Sequence, residues 1–213
     1  MMTHRNFITS AVLIVFVFAM SETSAWAEMP VKQGDEFTLS VFLNQDVEIE
    51  GVDMIIRFDE KLLAVADAVV SAKMSENPNY SYTLEKNMTG EGLKLVIVGV
   101  GELFNGRETA DISFTAKGSP GATAVISVSD INCSEKAAIS GGFYVNDSLQ
   151  DSVKVRITGT AELSHAIAAL QIAAGFTDVK LYFDADGDGK TGLGDAVFIL
   201  QAVAEIRPQP WAE

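Results

Sequence analysis

The apolar spacing changes period once along this chain, and that change restricts the fold more than any single motif. From Glu36 to Ile157 apolar residues recur at every second position, as in Phe37, Leu39, Val41 and Leu43, or Val52, Met54, Ile56 and Phe58. Such alternation gives a strand with one buried face. Further strands are predicted at Leu62–Val69, Tyr80–Lys86, Leu93–Val98, Thr109–Thr115, Thr123–Ser129 and Ser152–Ile157. Gly-, Asn- and Pro-bearing segments separate them: Asn77-Pro78, Asn87–Gly92, Asn105-Gly106, Gly118–Gly121 and Gly141-Gly142. Eight or nine short strands with turn signals between them predict a mainly β fold, an antiparallel, jelly-roll-like β-sandwich. After Thr158 the spacing becomes helical, with Leu163, Ala166, Ile167, Leu170, Ala173 and Ala174 expected on one packed face, Thr160 as N-cap and Gly175 as the C-terminal glycine.

The helix recurs thirty residues later. Leu163/Leu193, Ala166/Ala196, Leu170/Leu200, Gln171/Gln201 and Ala174/Ala204 are identical pairs. One such helix cannot bury its apolar face alone, and two can cover each other. Before the second helix runs DADGDGKTGLGD, Asp184–Asp195. Aspartates stand at positions 1, 3, 5 and 12, and Gly189 at position 6, where an EF-hand loop turns sharply. Ca2+ takes six to eight oxygens, so this donor set suits it; Mg2+ prefers to keep several waters. The side chains of Asp184, Asp186, Asp188 and Asp195 and the backbone carbonyl of Lys190 are the expected ligands, with a water opposite Gly192.

The formal net charge is −14, from 29 acidic against 15 basic residues. That excludes a nucleic-acid partner, which needs a basic footprint, and an anionic membrane surface. Arg5, the apolar run Phe7–Met20 and Ala25-Trp26-Ala27 have the layout of a cleavable signal peptide over residues 1–27. The mature chain is expected to begin at Glu28 and to be secreted or periplasmic, with no membrane segment after cleavage. Cys133 is the single cysteine, so no internal disulfide is expected.

The segment Val31–Val41, with Gly34-Asp35, and the segment Ile49–Leu62, with Gly51, Phe58-Asp59 and Leu62, resemble the opening strands of a cohesin domain. Gly101–Phe104 and Ala110–Phe114 are similar to a later segment of that family. The duplicated loop and helix resemble a dockerin module. The resemblance implies a sandwich over residues 28–158 that binds a partner on one sheet face, and a helical module over 159–213. The first repeat departs from the dockerin pattern: Lys154, Arg156 and His165 stand where its first, third and twelfth loop positions fall. One Ca2+ is therefore expected, not two, with His165 capping its helix. Leu163-Ser164 and Leu193-Gly194 occupy the positions where dockerins choose a cohesin, and that code is not carried over.

On the sandwich, Ile55, Val96 and Val98 point away from the apolar positions beside them. With Asp53, Arg57 and Lys94 around them they form the expected partner-binding face. The function expected is a non-catalytic calcium-binding assembly or adhesion protein, in the family's setting tied to polysaccharide degradation. Its partner carries a complementary dockerin or cohesin module, a second copy of the chain included. The alternative is a carbohydrate-binding sandwich using Tyr80, Tyr82 and Phe104, with polysaccharide as the ligand and calcium purely structural. No segment marks a pair of carboxylates as catalytic, and no enzyme is expected.

Overall fold

A computed structural model describes residues 28–45, 49–75, 81–103, 108–134, 139–145, 148–176 and 183–212. The expected signal peptide, Tyr80, Phe104 and the turns at Asn77-Pro78 and Asn105-Gly106 lie outside them. Eleven strands are described: β1 Glu28–Lys32, β2 Glu36–Gln45, β3 Ile49–Arg57, β4 Leu63–Val70, β5 Ser81–Thr89, β6 Gly92–Leu103, β7 Glu108–Ala116, β8 Thr123–Cys133, β9 Ile139–Val145, β10 Ser148–Gln150 and β11 Ser152–Thr158. Two helices follow, α1 Leu163–Ala173 and α2 Leu193–Val203. One sheet runs β1-β11-β8-β3-β6-β5 and the other β10-β9-β2-β7-β4. Every pair is antiparallel except β1 with β11.

The two sheets bury one common core. Val41 and Leu43 of β2, Met54 and Ile56 of β3, Leu95 and Ile97 of β6, and Ile112 and Phe114 of β7 are all fully buried. Phe114 stacks on Phe37 at 5.6 Å and meets Phe58 edge-on at 5.3 Å. The period-two faces are thus those expected, and the fold is a β-sandwich. Three strands escaped the apolar pattern. Short β1 carries Pro30, tolerated on a sheet edge. Strand β10 has three residues. Gly141-Gly142, expected to turn, lies inside β9, and a Cβ on Gly142 would collide with the carbonyl of Gln150. Asn87–Thr89 likewise continue β5, so that turn shrinks to Gly90-Glu91.

The helical pair has its own core: Ala161, Ala166, Ala168, Ala169, Phe183, Ala185, Ala196, Ile199, Ala202 and Trp211. This overturns the expected packing face. Leu163, Ile167, Leu170, Ala173 and Ala174 of the first repeat, and Leu193, Val197, Leu200 and Val203 of the second, are exposed, and the helices meet through alanines instead. Small side chains let two backbones approach closely, so the bulkier residues turn outward. The N-cap also differs: Glu162, not Thr160, precedes α1.

Both helices end alike. Phe176 N–H donates to Gln171 O at 3.0 Å and Ile206 N–H to Gln201 O at 2.8 Å. The residue before each donor is left-handed: Gly175 at φ 84° and Glu205 at φ 58°. A side chain there is strained, where glycine is not. Glu205→Gly is expected to stabilise the helical pair by about 0.5 kcal/mol. Urea unfolding followed by helical ellipticity checks this: the midpoint rises and the slope stays constant.

Candidate metal centre and docking face

The acidic loop enters from Phe183, whose ring is fully buried. Phe183 N–H donates to Thr191 Oγ1 at 2.9 Å, and that hydroxyl donates to Phe183 O at 2.9 Å, so one side chain ties the start of the loop to its end. Between them, Gly187 and Gly189 take φ of 82° and 81°. Only residues without a Cβ adopt that conformation freely. The turns curl the loop so that carboxylate oxygens of Asp184, Asp186 and Asp188 lie within 4.8 Å of one another. Asp184 accepts from Gly187 N at 2.8 Å and Gly189 N at 3.2 Å; Asp186 accepts from Asp188 N at 3.2 Å and Asp188 from Lys190 N at 2.9 Å. These bonds hold three like charges together, and an all-oxygen set of this kind fits a hard cation.

Asp195, expected as the fourth side-chain ligand, is not one of the converging carboxylates. It is buried and serves the backbone. Its Oδ1 accepts from Ala185 N at 2.7 Å and Asp186 N at 3.4 Å, and its Oδ2 from Gly192 N at 2.7 Å. The first repeat repeats the last of these bonds thirty residues earlier: Glu162 N–H donates to His165 Nδ1 at 3.1 Å. His165 thus caps its helix from the position of Asp195. It also packs on Phe183 at 5.2 Å and Trp211 at 5.5 Å.

Burial lowers the His165 pKa, against a smaller raising effect of Glu162. The neutral ring is the one whose Nδ1 can accept. With the folded value below the unfolded one, the unfolded chain binds more protons between them. The stabilisation is therefore complete above about pH 6.5 and lost as pH falls through the folded value. Urea midpoints for the helical signal are expected to drop between about pH 7.5 and 5.5. His165→Asn, which keeps an acceptor but does not titrate there, flattens the profile.

The six residues expected on the docking face come together. In the β3–β6 register Asp53 faces Val96, Ile55 faces Lys94 and Gly51 faces Val98. Met54, Ile56, Leu95 and Ile97 between them point into the core, so Asp53, Ile55, Arg57, Lys94, Val96 and Val98 share the outer side, each half-buried except the exposed Val98. Lys94 lies 3.5 Å from Asp53. Arg57 is held more firmly. It donates to Ser129 Oγ at 2.8 Å and Asp130 Oδ2 at 2.7 Å, with Glu91 at 3.4 Å. The hydrogen bond between Arg57 and Asp130 raises the pKa of the first and lowers that of the second. Asp130 reaches Arg57 from a bulge: Ile55 pairs with Ser129 and Asp53 with Asn132, two residues stand opposite one, and Asp130 takes φ 50°. Nothing in the apolar spacing marked Asp130 or Asn132 as part of this face. Of the aromatic platform only Tyr82 is described, and it leans on the sandwich core.

No protein-family model matches the chain, and no curated protein matches it in sequence. Several solved structures are similar to it. One is a cohesin module from the Clostridium perfringens family 33 glycoside hydrolase: 13% identity, 61% of this chain, 89% of that one, TM-score 0.43. Another is a non-cellulosomal cohesin from the archaeon Archaeoglobus fulgidus: 12% identity, 63% and 88%, TM-score 0.44. A third is a type I cohesin from Pseudobacteroides cellulosolvens: 16% identity, 65% and 92%, TM-score 0.43.

Proposed function

We propose that this chain is an exported, non-catalytic assembly protein. A cohesin-type sandwich takes a helical, dockerin-type partner on its β3–β6 face, and a helical pair carries one Ca2+ at Asp184, Asp186, Asp188, the Lys190 carbonyl and Asp195. The observation that carries the reading is the outer side of β3 and β6. Val96 and Val98 follow one another along β6 and Ile55 stands diagonally across from Val96 on β3, with the Asp53–Lys94 pair crossing among them and Arg57–Asp130 at the end of β3. Outward-facing apolar side chains interleaved with charges that are already paired suit a docking interface. The partner is a helix pair with apolar outer faces, and the chain's own helices expose such faces in Leu163, Ile167, Leu193 and Val197. The helical pair follows β11 and meets the sandwich at Gly121, in the turn between β7 and β8, and the proposed pairing with the β3–β6 face runs between copies. A head-to-tail contact of that kind adds subunits without closing. The proposed setting is among polysaccharide-degrading complexes.

Sedimentation velocity with Ca2+ and with chelator tests this. Concentration-dependent growth in Ca2+, weakened at least about tenfold by Ile55→Asp, is the expected result. A monomer at every concentration in Ca2+ rejects a second copy as the partner.

A further inference from the structure

We infer that cation loading of the acidic loop seats the helical pair on the end of the sandwich through Phe183 and Trp211; the inference rests on the calcium reading above. The tail after α2 folds back over both parts of the molecule. Gln209 Oε1 accepts from Ala161 N at 2.6 Å, and its Nε2 donates to Ala202 O at 3.3 Å. This carries Trp211 into the helical core, where its ring lies 5.8 Å from Phe183 and 5.5 Å from His165. The other side of the indole meets the sandwich. At Gly121, in the turn between β7 and β8, a Cβ would come within 2.5 Å of Trp211 Nε1. Trp211 O accepts from Gly159 N at 3.0 Å, and a Cβ on Gly159 would come within 2.7 Å of Pro120. Gly121 thus leaves the space that the indole fills, and Gly159 lets the chain pass close to Pro120. The loop also abuts the junction: Asp184 helps line a cavity of about 570 Å³ shared with Asp59, Lys61 and Lys117 of the sandwich.

The seat is poised rather than locked. Among the described residues, Trp211 Nε1 is buried with no hydrogen-bond partner, and an orphaned donor weakens whatever buries it. What holds the indole is packing against Phe183, and Phe183 is the residue before the first carboxylate of the loop. Without a cation, repulsion among Asp184, Asp186 and Asp188 opens the loop and moves that ring. With one bound, the Phe183–Thr191 clamp is fixed, and so is the wall that Trp211 rests on. The cation would then set the angle at which the helical faces and the β3–β6 face are presented to partners.

Trp26 and Trp211 are the only tryptophans, so in the mature chain from Glu28 emission reports Trp211 alone. The experiment combines Ca2+ calorimetry, acrylamide quenching and amide exchange at Gly159, on chelator-treated and Ca2+-loaded protein. The expected result is one bound Ca2+, loss of quenching, and exchange at Gly159 slowed at least about tenfold. Calcium heat with no change in quenching or exchange overturns the seat and leaves the metal reading standing. Absence of calcium heat removes both. Loss of quenching with unchanged Gly159 exchange confines the effect to the helical pair and overturns the contact with the sandwich. Gly159→Val, which crowds Pro120, is expected to bind Ca2+ and keep Trp211 quenchable; protection equal to the parent chain also overturns the contact.

Discussion

Phe183→Ala is expected to unfold the helical pair and leave the sandwich folded. Phe183 is fully buried, and around it the core is Ala161, Ala166, Ala169, Ala185, Ala196 and Ala202, with Ile199 and Trp211 as the other large members. Alanine methyls bury little apolar area, so two rings and one isoleucine supply most of what holds the helices together. Truncating a buried phenylalanine costs about 3–5 kcal/mol. Helices of eleven residues each do not persist in water without tertiary packing. The sandwich has a separate core, to which Phe183 contributes nothing. Far-UV circular dichroism through a urea titration should therefore show the helical signal gone at zero denaturant and the strand transition at its original midpoint. A single transition displaced as a whole would mean that the two cores unfold together and that the junction at Gly159 and Trp211 carries far more energy than its contacts imply.

The helical core also shows where sequence patterning stops being informative. Apolar spacing located both helices, and Gly175 stands at φ 84° just past the first. It gave the wrong buried face, because a period of 3.6 counts Ala and Leu alike. In α1 the alanines at 166 and 169 lie beside Leu163, Ile167 and Leu170 on neighbouring stripes, and only packing decides which stripe turns inward. Strands gave a cleaner answer, since period two leaves just two faces. The outer positions of β3 and β6 could be named because Met54, Ile56, Leu95 and Ile97 fix the inner ones. Asp130 was out of reach of that logic: it arrives at Arg57 through a bulge that shifts the register of β8 against β3. Trp211 was equally silent in the sequence, a lone aromatic in a Pro-rich tail, although Gly121 makes room for it from far along the chain.

The loop combines both cases, and Asp195 separates them. Its position 12 marked it as a ligand, and spacing alone could not show that its oxygens have other work. Oδ1 accepts two backbone N–H groups and Oδ2 one. A carboxylate offers about four lone-pair sites, which leaves one, on Oδ2, for a cation. With Ca2+ held as proposed, Asp195 would close the shell through a single oxygen, while its backbone bonds join the start of the loop to the first turn of α2. Asp195→Asn keeps the size, but in either orientation its NH2, which cannot accept, replaces an oxygen that accepts a backbone N–H. An amide that keeps its carbonyl toward Ala185 and Asp186 sets one N–H donor against another at Gly192. Leaving a buried donor unsatisfied costs about 1–3 kcal/mol, more where the lost partner was charged. The expected result is a loss of helical stability of about 3 kcal/mol even in chelator, before any calcium effect is counted. Asp186→Asn, at an exposed carboxylate of the proposed site whose backbone bond can be kept, should weaken calcium binding and, by relieving repulsion, keep or raise stability in chelator. Urea midpoints of both variants with and without Ca2+ decide the point. If Asp195→Asn lost stability only when Ca2+ is present, the backbone bonds of this carboxylate would be secondary, and the residue would be a ligand alone.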